Sequence, residues 1–131
     1  MNIIIYMNEN GNVSVCAPTG EISIEEVLAK DCPDHAIIAD SADLPNEHHD
    51  FFNAWELVDG KVTVNLVKAT ELTKDRLRAE RKPLMEAQDV LFNRALESGS
   101  DTSTIIAEKQ RLRDITKISV TTLDDLKALK P

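Results

Sequence analysis

Three adjacent side chains, His48, His49 and Asp50, carry the groups best suited to bind a metal ion or transfer a proton, and His35 is the remaining histidine. Zinc sites use ligand pairs spaced along a turn or a helix face, with further ligands at recognised spacings. Adjacent histidines point in different directions, and the chain has no His-x-x-x-His or Cys-x-x-Cys pair. The pattern therefore predicts no metal site and no cofactor, and favours a polar, solvated turn.

The two cysteines, Cys16 and Cys32, are the next candidates. A cysteine nucleophile needs a histidine base brought close by folding. Cys16 falls inside a predicted strand, and Cys32 precedes a proline at the end of a predicted helix. Neither has the local sequence of a known catalytic cysteine, so we expect packed thiols rather than a nucleophile or a disulfide.

The acidic pairs Glu25-Glu26 and Asp124-Asp125 open predicted helices, where carboxylates interact favourably with the helix dipole. The chain has no glycine-rich loop of the kind that binds phosphate. We therefore predict that the protein is not an enzyme and binds no small-molecule substrate. A cluster of groups with perturbed pKa in a cleft would instead indicate an enzyme.

Charge is distributed unevenly along the 131 residues. Residues 1–68 contain twelve acids and three bases, a net charge of −9, whereas residues 69–131 carry a net charge of +1. Nucleic-acid binding needs a basic face, so the acidic front argues against it. Solubility is the simpler explanation of the acidity, and mimicry of a polyanion is the alternative. The basic stretch 74–82 keeps helical spacing with interleaved acids, which favours a solvated helix face.

The first half of the chain has the pattern of a small antiparallel sheet with one short helix. Asn-Gly and Asp-Gly dipeptides between alternating runs predict two hairpins. Ser23 and Glu26 form a capping box that begins the helix. Trp55, beside Phe51 and Phe52, predicts an aromatic core. The expected strands are 2–7, 13–17, 36–39, 51–58 and 61–65, with the helix at 23–30.

From about Val67 the hydrophobic period becomes that of a helix. Pro83 is expected to kink or break this helix, and Ser98-Gly99-Ser100 to end it. A second helix to about Asp114 predicts an antiparallel hairpin, and a short terminal helix follows from Thr121 or Thr122. The predicted fold is α+β, with a small α+β domain at 1–66 and a helical hairpin with a C-terminal helix at 67–131.

Leucines spaced by seven residues form an apolar stripe on the first of these helices. An isolated helix pair cannot cover such a stripe fully, so we interpret it as a partner-binding surface, and self-association is one form of that binding. The alternative is that these residues form the internal core. The candidate partner-binding residues are Leu77, Leu84, Leu91, Ile105 and Leu112.

The order of motifs resembles a group of small proteins of tailed bacteriophages and prophages, encoded among tail and host-attachment genes. The helical hairpin also resembles the tail region of tail-fibre assembly proteins. The similarity covers nearly the whole chain except Lys82-Pro83-Leu84 and residues 121–131. The motifs are Leu28-Ala29-Lys30-Asp31-Cys32-Pro33, Asp40-Ser41-Ala42-Asp43-Leu44-Pro45, Phe52-Asn53-Ala54-Trp55-Glu56, 59–65, 74–78, 94–99 and Lys109-Gln110-Arg111-Leu112-Arg113-Asp114-Ile115-Thr116.

This resemblance implies a tail or baseplate accessory protein, or a tail-fibre assembly protein, that acts by protein–protein binding and carries no catalytic residues. Its expected partners are phage tail or tail-fibre proteins. The short apolar run at Ile3–Ile5 is no membrane span, so the expected location is the host bacterial cytoplasm during assembly, and in one form of the hypothesis the virion tail. The competing hypothesis is an acidic phage-encoded inhibitor of a host defence or nucleic-acid enzyme.

Overall fold

The computed structural model describes residues 1–131, and contacts within the chain divide them into two compact units, Met1–Ala69 and Thr70–Pro131. The predicted α+β fold is confirmed: the first unit contains two small antiparallel sheets, and the second is helical. The division falls three residues after the predicted boundary at 66, inside a helix that starts at Leu66. Folding of residues 1–66 without the helices stays a prediction.

The first unit has five strands in two sheets. The larger sheet has the order β2-β1-β3, and β4 and β5 form a separate hairpin. Every neighbouring pair is antiparallel. The strands are β1 (Asn2–Met7), β2 (Val13–Cys16), β3 (Ile37–Asp40), β4 (Trp55–Val58) and β5 (Lys61–Val64).

Both predicted hairpins are present, and their turns explain why. Gly11 has a φ of +77°, in the turn where the side-chain oxygen of Asn8 accepts the amide of Asn12 at 3.1 Å. In the second hairpin Asp59 and Gly60 both have positive φ, at +52° and +79°. Two consecutive positive φ values define the turn whose twist matches the flanking strands, and Asp-Gly is one of its preferred sequences.

β1 is buried on both faces. Ile4 packs with Val27 on the side of helix α1 (Ile24–Asp31), which contacts β1 and β3. Ile3 and Ile5 point to the other side and pack with Trp55 of the β4–β5 hairpin. As predicted, Ser23 begins α1, since its hydroxyl oxygen accepts the amide of Glu26 at 3.2 Å. The first unit therefore has three layers, with the larger sheet between α1 and the hairpin.

The run before Trp55 differs from the sequence prediction. Residues Asn46–Ala54 form a kinked 3-10 segment, so Phe51–Ala54 are not part of a strand. The indole Nε1 of Trp55 donates to the carbonyl of His48 at 3.3 Å, and its ring lies 4.9 Å from that of Phe52. These contacts hold the segment against Trp55, the first residue of β4. They also confirm the predicted aromatic core, because Trp55 is 1% exposed.

The second unit continues α2 and adds two shorter helices. Gly99 ends α2 with a φ of +70°, at the predicted stop, and Thr122 begins α4 by accepting the amide of Asp125 at 3.2 Å. The expected break at Pro83 is wrong, because α2 runs unbroken through it. One missing amide bond is tolerated where strong helix formers surround it on both sides. The helices are α2 (Leu66–Ser98), α3 (Ser103–Asp114) and α4 (Leu123–Ala128).

Candidate protein-binding surface

The predicted leucine stripe divides into buried and exposed members. Leu77 and Leu112 are completely buried, with exposed fractions of 0% and 1%, whereas Leu84 and Leu91 are 44% and 46% exposed. Ile105 is partly buried. For Leu77 and Leu112 the partner-binding interpretation is therefore wrong, and the alternative of an internal core is correct. Leu84, Leu91 and Ile105 stay candidates.

Helix periodicity explains why the stripe leaves the core. A spacing of seven falls short of two full turns, so each heptad drifts by about 20° on a straight helix. Between Leu77 and Leu91 the drift reaches about 40°. The residues of the C-terminal half of α2 that are less exposed follow a different stripe, one residue later along the chain. They are Met85, Gln88, Phe92 and Ala95.

α3 lies antiparallel to this part of α2. The ammonium of Lys109 forms a 2.7 Å ion pair with Asp89 and lies 5.0 Å from the ring centroid of Phe92. Lysine side chains cover apolar surface with their methylene groups while the charge pairs at the edge. These contacts close one flank of the helix pair.

The other flank carries an open groove of about 500 Å³. Leu91 lines it from α2, and Ile105 lines it from α3. On its α3 side Arg111 Nε donates to Glu108 Oε2 at 3.0 Å, and this bond lowers the pKa of the Glu108 carboxyl. The groove thus combines apolar walls with a charged, hydrogen-bonded rim. Its lining residues are Gln88, Leu91, Thr104, Ile105, Ala107, Glu108 and Arg111.

The helical pattern of residues 101–114 predicts that Ile106 is buried together with Ile105, but Ile106 is 51% exposed. It follows Ile105 by one residue, which on a helix is a rotation of about 100°. Only one of two adjacent isoleucines can therefore face α2, and the partly buried one is Ile105.

Two arginines of α2, which the sequence predicts on a solvated helix face, form hydrogen bonds to distant parts of the chain. The guanidinium of Arg76 donates to the carbonyls of Leu126 and Leu129 at 3.1 and 2.8 Å. Arg81 donates to the carbonyls of Leu112 and Arg113 at 3.3 and 3.2 Å. Each arginine satisfies carbonyls at the C-terminal end of a helix, where positive charge is favoured. These long-range partners have no sequence signature, and only the folded chain reveals them.

Arg76→Gln is expected to lower the free energy of unfolding by about 1.5 kcal/mol, the lower end for hydrogen bonds to a charged group, since Arg76 is partly exposed. The same substitution should also accelerate hydrogen exchange of the backbone amides in α4. Arg78→Gln is the matched control, because Arg78 pairs only with Asp75 on the same helix, at 2.9 Å. Denaturant melts and hydrogen exchange measure both variants. Equal effects of the two substitutions would contradict an anchoring role for Arg76.

The histidines considered in the sequence as metal ligands or proton-transfer groups lie in the first unit. His48 lies in the 3-10 segment with a buried Nδ1 that has no hydrogen-bond partner, and His49 stacks 5.8 Å from the ring of Phe52. The segment is therefore partly packed, whereas the sequence predicted a polar, solvated turn. No group of three or more histidine, cysteine or acidic side chains is arranged to hold a metal ion.

Cys16 and Cys32 are free, partly buried thiols that pack against the same cluster as Ile4. Burial raises the pKa of Cys32, and the neighbouring Cys16 raises it further. A raised pKa keeps the thiol protonated and makes it a weaker nucleophile at neutral pH. This environment is that of the packed thiols expected from the sequence.

None of the helices of this chain combines the length and apolar character needed to cross a membrane. Among known proteins, no family model, no curated protein and no solved structure matches this chain.

Proposed function

We propose that this chain is a phage tail or baseplate accessory protein, or a tail-fibre assembly protein, that acts by binding a tail component through its helical hairpin. The phage assignment rests on the sequence motifs quoted above. The choice of surface rests on one observation, the half-exposed leucine in the groove between α2 and α3. The protein would act in the host cytoplasm during assembly.

Leu91 is the main reason for choosing this surface as the binding site. Burying the exposed half of a leucine side chain contributes about 1 kcal/mol, and Leu84 offers a similar gain one heptad earlier. Apolar groups surrounded by polar ones are the usual composition of a protein-binding patch. Glu108 and Arg111 supply that polar rim.

A helix of the partner fits this groove best. Two antiparallel helices present ridges of side chains, and a third helix packs its apolar side chains between them. Ala107 and Thr104 are small enough to allow close approach, whereas Leu91 and Ile105 provide apolar contact. Such packing would complete a three-helix arrangement that the hairpin alone leaves open on this flank.

Co-expression with the tail-fibre protein of the same phage tests the proposal. We expect the two chains to co-elute from a size-exclusion column at a fixed ratio and the fibre protein to become soluble. Light scattering on the purified chain alone measures self-association separately. Separate elution of two soluble, folded proteins would contradict the proposed function.

The acidic front supports a second candidate, an inhibitor that mimics a polyanion. Residues 1–68 hold twelve acids against three bases. Asp40 pairs with the N-terminal ammonium at 3.4 Å, and Glu56 accepts from Asn65 at 3.0 Å. A host nuclease titrated with the chain distinguishes the two functions. Inhibition that weakens steeply with salt favours the inhibitor, because it reports electrostatic competition with nucleic acid.

A further inference from the structure

A groove in the first unit runs beside two open strand edges. The order β2-β1-β3 leaves the outer edge of β3 unpaired, and β5 is an edge of its hairpin. The groove has a volume of about 480 Å³ and is lined by Ile38 and Asp40 of β3 and by Val62 of β5. It lies in a different unit from the hairpin surface discussed above.

The ladder between β1 and β3 shows which main-chain groups of β3 point outward. The amide of Ser41 donates to the carbonyl of Met1 at 2.9 Å, so this pair is hydrogen-bonded. Hydrogen-bonded and non-hydrogen-bonded pairs alternate in an antiparallel ladder. Ala39 is two residues away and therefore also bonds to β1. Ile38 and Asp40 consequently direct their N–H and C=O groups to the open edge.

The ladder between β4 and β5 likewise shows which main-chain groups of β5 point outward. The amide of Asn65 donates to the carbonyl of Ala54 at 2.8 Å, just beyond the end of the ladder. By alternation, Thr63 bonds to β4 and Val62 does not. The N–H and C=O of Val62 therefore point away from β4, along the second open edge of the groove.

The groove has an apolar floor and unpaired charges. Ile5 and Val62 are buried, with exposed fractions of 1% and 8%, and both line it. The carboxylate of Asp43 and the ammonium of Lys61 also line it, and neither has a partner within the chain. Because residues 1–68 carry a net charge of −9, the surroundings attract a positively charged ligand.

We propose that this groove binds an extended, basic peptide that adds as a strand to the outer edge of β3. Its main chain pairs with Ile38 and Asp40, apolar side chains on one face contact Leu44 and Val62, and a lysine or arginine reaches Asp43. Added strands gain affinity from main-chain hydrogen bonds and specificity from alternate side chains. Open edges alone are ordinary, but here two of them border one apolar groove with an unpaired acid.

A capped heptapeptide of alternating lysine and valine is the probe, titrated into the ¹⁵N-labelled full-length chain. We expect saturable shifts of the amides of Ile38, Asp40 and Val62, and slower hydrogen exchange at Ile38 and Asp40. A peptide with glutamate in place of lysine should bind more weakly. Two further peptides carry N-methyl groups on either the valines or the lysines, and at least one should lose binding, because N-methylation removes the donors that pair with an edge strand.

Two charge reversals in the protein complete the test. Asp43→Lys should weaken binding of the basic peptide about three- to fivefold, the upper part of the range of an exposed ion pair. Glu21→Lys is the matched control, because Glu21 is exposed and lies outside the groove. Ile38→Pro removes an outward amide while sparing the bonds to β1, so it should also weaken binding of the peptide.

Full binding by both N-methylated peptides, or equal weakening by the two charge reversals, would overturn the proposal. Exchange protection of Ile38 and Asp40 that rises with protein concentration would show that a second copy covers this edge, and would also overturn it.

Discussion

Replacing Trp55 with alanine is expected to lower the free energy of unfolding by about 3–5 kcal/mol, the range for truncating a buried large aromatic side chain. Trp55 is among the largest fully buried side chains and packs in one cluster with Ile3, Ile5 and Val62. Its indole also donates to the carbonyl of His48. The substitution therefore leaves a cavity between the larger sheet and the hairpin and an unsatisfied carbonyl beside it.

Circular dichroism during denaturant titration measures this loss, since Trp55 is the single tryptophan and its fluorescence disappears with it. Val58→Ala, on the same strand but 47% exposed, is the control and should change stability by less than about 0.5 kcal/mol. A loss below about 1 kcal/mol for Trp55→Ala would contradict the placement of this side chain in the core.

Leu77→Ala is expected to cost about 3 kcal/mol, within the range of fully buried leucines. Leu77 is 0% exposed in the second unit, whose other fully buried leucines are Leu112 and Leu126. Leu84→Ala should cost less than about 1 kcal/mol, because nearly half of its side chain already contacts solvent. The two substitutions remove the same atoms from the same helix, one heptad apart.

The difference in the free energy of unfolding between these two leucine variants shows which part of the stripe is core and which part is surface. Melts followed by the helical signal at 222 nm give both free energies, because the second unit is helical. Equal costs for the two substitutions would show that Leu84 is as buried as Leu77 in solution. Leu84 would then belong to the core and would no longer be a candidate for partner binding.

Local signals predicted the parts of the fold that depend on neighbouring residues. The two hairpins follow from Gly11 and from Asp59-Gly60, since those turns need positive φ. The start of α1 follows from Ser23, whose hydroxyl caps the helix. These features require no knowledge of distant contacts.

Local sequence signals could not predict the features that depend on contacts between residues far apart in the chain. Phe51–Ala54 look like a strand in sequence, but the hydrogen bond from the indole of Trp55 to the carbonyl of His48 holds them in a 3-10 segment. Arg76 and Arg81 look like solvated charges until the ends of α4 and α3 are brought to them. The open groove beside Leu91 depends on how α3 lies on α2. The seven-residue spacing alone cannot show that Leu91 is exposed whereas Leu77 is buried.

The groove beside Leu91 is proposed to bind a tail-fibre protein, and calorimetric titration of two matched variants with that protein tests this proposal most directly. Leu91→Asp places a charge in the groove, whereas Val90→Asp places the same charge on a residue of similar exposure outside it. We predict that Leu91→Asp weakens binding about thirtyfold or more, as for a central interface residue, and that Val90→Asp changes it less than about threefold. Thermal melts confirm that both variants are folded. Wild-type affinity in folded Leu91→Asp, or equal losses in both variants, would contradict the account.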